Sequence, residues 1–413
     1  MDKERINMIL KELTINEYKE FFRHNNVSLF QSINYANTME KQGFISLYYG
    51  LMDGSTIYGA GLILVKRQNG FKVGFIPRGF IIDYNNLDLL KVFTSLLKKE
   101  LSKKRIVLIK MHPPIIRNIY NKQTIKNNNY DNIFNNLKQA GFKHLGYNNY
   151  FESLKPRFEA IIPLDKDINK LFNNISKNFK TKIRSADMNG IKIYKGDKTN
   201  LEYLNNLTKN KDLKYLEDLY DCFNNNIEFY YAKLDTNSYV RSIQYKYQRQ
   251  INICSKANEQ VFKHVLKNNN KIINRKLREE NRLNEIKEEL VYATKLIKDY
   301  PNGIIVSACL LIKNKQEVYL IKDGYDKNYK KFNAKHLLIW KLMEKYSKES
   351  FKTFNLGGIT NNIPNNKYQG LNNFKLNFGA NIYEYSGDFK LIINKPLYLL
   401  YKNNSYISKI FKK

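Results

Sequence analysis

Cysteine is nearly missing from this chain: Cys222, Cys254 and Cys309 are the only three among 413 residues, and no two form a C-x-x-C pair. That spacing excludes a disulfide framework and a structural zinc site, and it suits a reducing compartment. Histidine is sparse and unclustered, and without an H-E-x-x-H string no metal site is expected. No apolar run approaches the ~18 residues that a membrane helix needs. The opening MDKERINMIL is charged and lacks the apolar core of a secretion signal, so a cytoplasmic protein is expected. G-x-G-x-x-G and P-loop strings are absent, which removes the cradles for dinucleotide binding and NTP hydrolysis. A G-x-S-x-G nucleophile elbow is missing too. No cofactor is expected, and any chemistry would be transfer of a group that arrives already activated.

Acidic residues are also short, 38 against 70 Lys+Arg, leaving a formal charge of +32. Such a charge suits partners rich in phosphate or carboxylate: nucleic acid, an anionic membrane face or a charged precursor. A/T-rich codons would equally enrich Lys, Asn, Ile and Tyr, so charge alone does not choose. The remaining composition, 43% hydrophobic and 14% aromatic, is that of a globular protein. At ~100–200 residues per domain the length suggests two or three domains.

Between 242 and 299, apolar residues recur in steps of three and four, at Tyr247, Ile251, Cys254, Val261 and Val265, then at Leu283, Ile286, Leu290, Ala293 and Ile297. This is the seam of an antiparallel coiled coil, with Asn268-Asn269-Asn270 as its turn and Pro301 and Gly303 as its end. The basic residues Arg275, Lys276, Arg278 and Arg282 read as a solvated face or as an RNA contact. On either side, one pattern occurs twice. Strands at 46–52, 57–66 and 71–75, a helix at 87–101 and a strand at 106–111 are matched by strands at 228–234, 303–312 and 317–321, a helix at 334–347 and a strand at 353–356. Two α+β domains of one fold follow, with the helical arm inserted at a loop of the second.

Several strings stand out in order. Phe30-Gln31-Ser32 ends in a plausible helix N-cap. Pro77-Arg78-Gly79, with Asp83-Tyr84 soon after, sets a cation and a carboxylate on a turn. A basic helix at 178–190 ends in glycine, Gly357-Gly358 follows a strand end, and Phe374-Lys375 precedes the aromatic strand of EYSGDF.

Taken together, FQS, PRG…DY, the basic helix, LGGI at 356–359, NFKLNFG at 373–379 and EYSGDF…INKPLY at 384–398 resemble the FemABX family. Members of that family are tRNA-dependent aminoacyltransferases that build peptidoglycan interpeptide bridges. The resemblance implies two domains like those of the acetyltransferase (GNAT) superfamily: residues 1–157, with 389–413 packing back on them, and residues 158–240 with 302–388. The coiled-coil arm would span 241–301. It implies transfer of an amino acid from aminoacyl-tRNA to an amine of a UDP-linked or lipid-linked muropeptide precursor, in the cytoplasm or against the inner membrane face. Lys375, beside Phe374, matches the lysine proposed to stabilise the tetrahedral intermediate. His112-Pro113 stands where the family often has an aspartate before proline, and an imidazole of pKa ~6.5 could accept the amine's proton or simply pack. Lys211 and Tyr215 fall where the family contacts the precursor's diphosphate. Near Tyr35 the usual basic residue is replaced by Met39, with Lys41 close by. Arg78, Asp83 and, in the turn Asp323-Gly324-Tyr325, Tyr325 complete the implied substrate contacts. Two rival readings are a basic coiled-coil RNA-binding protein with degenerate acyltransferase-like domains, and aminoacyl transfer to an acceptor outside the cell wall.

Overall fold

The structure is a computed structural model that describes residues 8–25, 27–121, 124–127, 129–152, 154–209, 211–263, 270–361 and 366–410. Asp53-Gly54 turns the chain as its composition predicts. Gly54 takes φ +56°, and Ile45–Asp53 folds back on Thr56–Gln68. Phe71–Pro77 continues the antiparallel meander. Helix Leu87–Lys103, capped by the Asn86 side chain, then carries the chain to Ile106–His112, parallel to Phe71–Pro77. The second half repeats this unit with Ile227–Leu234, Ile304–Asn314, Glu317–Tyr325, helix Ala334–Lys348 and the parallel strand Thr353–Ile359. Each helix buries its apolar stripe on its own sheet: Leu90, Phe93 and Leu97 in the first half, Leu338, Leu342 and Tyr346 in the second.

The insertion between Ile227–Leu234 and Ile304–Asn314 is a pair of long helices, Thr236–Lys263 and Asn270–Asp299. Contacts between residues 239 and 289, 254 and 279, and 260 and 275 run in opposite directions, so the helices are antiparallel. At 1.5 Å per residue the 28-residue first helix is about 42 Å long. The seam differs from the one the sequence suggests. Ile251 is 36% exposed, whereas Gln250 is buried because its amide nitrogen donates to the backbone carbonyl and the side chain of Glu279. Arg275, Arg278 and Arg282 face solvent. Asn268 and Asn269 of the expected turn lie outside the described residues.

Strand exchange ties the halves together. The hairpin Ile116–Tyr120 and Thr124–Lys126, placed by sequence with the first domain, instead extends the second sheet beyond Asn381–Tyr385. A boundary at 157 therefore does not separate the sheets, because Arg117, Asn118 and Tyr120 all bind Glu384 of the second. In return Phe389–Ile392 enters the first sheet between Ile106–His112 and Lys143–His144. A third apolar cluster, including Phe30, Tyr35 and Leu62 with Leu216, Phe229 and Tyr319, runs across the junction.

Parallel pairing is where the two halves differ. In the first, residues from Lys72 to Pro77 stay paired with Ile106–His112. In the second, only Glu317, Val318 and Tyr319 pair with Thr353, Phe354 and Asn355. Beyond them each strand bulges against its outer neighbour: Ile321 is the extra residue opposite Leu310 and Leu311, and Leu356 and Gly357 together face Ala160. Gly357 takes φ +75°, a conformation that disfavours side chains, and it turns its strand away. The second sheet is thereby split, with the gap facing the first half.

Candidate active site

The split opens into a cavity of about 400 Å³ between the halves, lined by Phe30 and Tyr35 from the first, by Leu320 to Asp323 and Leu356 to Gly358 along the parted strands, and by Tyr215, Lys155 and Lys375. The FQS string builds one wall. Phe30 faces the cavity, the Ser32 hydroxyl caps helix Ile33–Lys41, and Gln31, wholly buried, joins elements. Its amide accepts from the Leu62 N–H at 2.9 Å and donates to the Pro77 carbonyl at 2.8 Å.

Beneath the floor lies a buried polar network. Glu159 accepts from Arg78 at 2.6 Å, from Tyr319 at 2.8 Å, from Asn355 at 3.0 Å and from Tyr385 at 3.2 Å. Burial alone would raise its pKa, but the Arg78 guanidinium and these donors hold it below the usual carboxylate range. Arg78 is itself 4% exposed and stacks on the Tyr385 ring. The substrate-facing cation expected on that turn is instead a structural ion pair.

Lys375 sits in the last turn of the short helix Gln369–Leu376, and its Nζ donates to the Gly358 carbonyl at 2.7 Å. Burial lowers its pKa to about 8, opposed by the Asp323 carboxylate and aided by the charge of Lys335. Phe374, one residue earlier and therefore ~100° around the helix, points elsewhere. It lines a second cavity of about 580 Å³ with Phe179, His336, Tyr325, Tyr329 and the cations Lys182, Lys330 and Lys335. The ion pair of Asp323 with Lys335 joins the two spaces, since Asp323 lines the first and Lys335 the second. Asp323 and Gly324 lie within strand Glu317–Tyr325 and are not a turn.

The structure thus brings Lys375 and Tyr215 to one cavity and Phe374 and Tyr325 to its neighbour. Lys211 is exposed and precedes Asp212, which lines the first cavity, but Lys211 does not line it. Lys41 is turned to the acidic face of helix Leu213–Phe223, 3.7 Å from Asp218 and 3.8 Å from Asp221. Met39 packs in the shared core, and Asp83 closes its own turn by accepting the Asn85 N–H at 2.9 Å. Sequence reasoning missed Lys155, Lys335 and Glu159. The Lys155-Pro156 dipeptide is the one local sign of the first, because a residue before proline is held extended.

His112 reaches neither cavity. It is fully buried, with Nδ1 2.8 Å from Asp388 Oδ1, and the other Asp388 oxygen accepts the Leu154 N–H at 2.9 Å. Burial and the nearby Arg78 push its pKa down to about 4 against the pull of Asp388, so the ring is neutral. A proton-accepting role for it is not supported by this placement; the ring anchors Asp388 and, through it, the segment leading to Lys155. His112→Asn, which can donate to Asp388 but not titrate, should leave the pH–rate profile unmoved. His112→Ala should lose about 1–3 kcal/mol in urea unfolding as Asp388 loses a buried partner. The sign with pH is also set. As pH falls from the ordinary value near 6.5 towards 4, the unfolded chain takes a proton that the folded one refuses, so this site costs stability on the acid side.

The model of the FemAB family matches residues 13–405. The chain is 26% identical over 408 residues to a lipid II:glycine glycyltransferase of Staphylococcus epidermidis and 24% identical over 416 residues to one of Staphylococcus aureus, covering 94% of each chain in both cases. Among solved structures it is similar to FemX, with a TM-score of 0.73 at 22% identity, covering 95% of this chain and 99% of that one.

Proposed function

Because the chain belongs to the FemAB family, we propose that it is an aminoacyltransferase that moves an amino acid from aminoacyl-tRNA to an amine on the stem peptide of a peptidoglycan precursor. The observation that carries this reading is the position of Lys375, a desolvated ammonium at the wall between two cavities of different character. The second cavity combines the cations Lys182, Lys330 and Lys335 with the rings of Phe179, Phe374 and Tyr325. That mixture suits the phosphates and bases of a single-stranded tRNA end. The first cavity takes the acceptor. Glycine carried by tRNA and the lipid-linked precursor are the first substrates to test, after the relatives' names.

Ester to amide is downhill, so the protein supplies position and electrostatics and needs no nucleotide hydrolysis. The acceptor nitrogen attacks the ester carbonyl, a C–N bond forms, and negative charge gathers on the carbonyl oxygen. The Lys375 ammonium stabilises that charge. Collapse breaks the bond to the ribose oxygen, which leaves with a proton. No helix among the described residues is long and apolar enough to cross a membrane, and a lipid-linked acceptor would be met from the cytoplasmic face. Purified protein, glycyl-tRNA and the precursor should yield a mass increase of one aminoacyl unit that ribonuclease abolishes. No product with any amino acid and with either the lipid-linked or the UDP-linked acceptor would sink the proposal.

A further inference from the structure

The acceptor amine is an ammonium in water and must lose a proton before it can attack, yet the groups named so far do not take one. Lys155 is placed to do so. Its Nζ lies 3.3 Å from the centre of the Phe30 ring and 5.0 Å from that of Tyr35, and its hydrogen bond is a long one, 3.4 Å, to the Tyr35 hydroxyl. No carboxylate pairs with it among the described residues. The nearest buried one, Glu159, already accepts from Arg78, Tyr319, Asn355 and Tyr385. The Phe30 face offers a cation some attraction. Lys155, lining the same cavity as Lys375, nevertheless has only one long hydrogen bond and the repulsion of the buried Arg78 charge in place of the water it loses.

We propose that Lys155 is the proton acceptor for the incoming amine, a role that rests on the transfer reaction inferred above. The neutral Lys155 nitrogen takes one proton from the acceptor –NH3+. The freed –NH2 forms the C–N bond, a second proton passes from that nitrogen to the departing ribose oxygen, and Lys155 returns the first to solvent between turnovers. The other groups facing this space are unsuited to the step. Tyr35, Tyr215 and Tyr319 are all pushed upward by burial and stay protonated. Asp212 caps its helix by accepting the Tyr215 N–H at 3.1 Å. Asp323 is bound to Lys335, and Lys375 is needed as a cation. Lys322 is lowered by burial but faces Asp212, which favours its charged form. At Lys155, burial and the Arg78 charge outweigh the Glu159 charge and bring the amine down to about 7, so near neutral pH a large fraction is free to accept.

Two measurements on the intact chain test this. Trace acetylation across a pH series, read by peptide mass spectrometry, should show Lys155 reacting with a midpoint near 7, whereas an ordinary lysine midpoint of ~10.4 overturns the proposal. In the transfer assay, Lys155→Met and Lys155→Arg should each slow turnover about 100-fold or more. Both should also lose the acid limb of the pH–rate profile near 7. Arginine keeps a cation over Phe30 but cannot take a proton, so an active Lys155→Arg variant would show a binding role instead and overturn the proposal. If the unaltered protein transfers nothing while labelling is still centred near 7, the reaction reading falls, and the proton's destination with it. Transfer that persists with an unchanged acid limb in both variants overturns the Lys155 role alone.

Discussion

Replacing Lys375 with methionine should lower the single-turnover transfer rate about 100- to 1,000-fold, the usual loss when one donor to a developing oxyanion is removed. Methionine nearly preserves the volume of a side chain that is 8% exposed, and it removes a charge that is costly to bury. The fold should therefore survive, and thermal unfolding should show no loss. The ammonium matters only once charge gathers on the carbonyl oxygen, so turnover should fall while KM stays close to its starting value. Arginine should not rescue it, because a longer, planar fork of donors does not put one point-like charge where the ammonium sits, 2.7 Å from the Gly358 carbonyl. The unaltered enzyme should also lose activity as pH rises through about 8, where Lys375 gives up its proton. A near-normal rate for Lys375→Met would remove this residue from the mechanism.

Arg78→Met should be the most destabilising single change at the site, by about 3–5 kcal/mol, the cost of stranding one member of a buried ion pair. Glu159 would remain 1% exposed with its tyrosine and asparagine donors but without its counter-charge. Urea unfolding of Arg78→Met against the double variant Arg78→Met/Glu159→Gln checks the cause, since the second change should recover part of the loss. Equal instability of the two would place the cost in packing. The Glu159 carboxyl is lowered in the folded state, so its contribution is present above the unfolded value of ~4.3 and is lost as pH falls through the folded one. The Arg78→Met variant should accordingly show a weaker dependence on acid than the unaltered protein.

Local chemistry made the repeated unit legible. The Asp53-Gly54 turn, the small apolar strands and the two amphipathic helices each carry their own signal, and helix Ala334–Lys348 was placed by sequence to within a residue. Ser32 as an N-cap and Lys375 at the site were legible for similar reasons. Arg78 was not: an arginine between proline and glycine reads as a surface cation, and its burial depends on Glu159, supplied by a strand 81 positions later. The same holds for the hairpin Ile116–Tyr120 and Thr124–Lys126. Its strands carry no mark of which sheet they join, because register and partner are set by long-range pairing. Lys155 was overlooked since the proline after it marks only its backbone, and its side chain reads as one lysine among many. Only the rings of Phe30 and Tyr35, brought from far away, set it apart.

The return of Phe389–Ile392 to an interior position of the first sheet bears on how the chain is made. Ribosomal synthesis delivers Ile106–His112 and Lys143–His144 long before the strand that must lie between them. Until it emerges, the first half exposes an open hydrogen-bonding edge and the unfilled places of Phe389 and Leu391, both wholly buried in the finished core. The nascent amino-terminal half is thus a ready client for a chaperone and a template for unwanted strand pairing. A stop codon ahead of residue 389 would damage the half of the protein that was synthesised first.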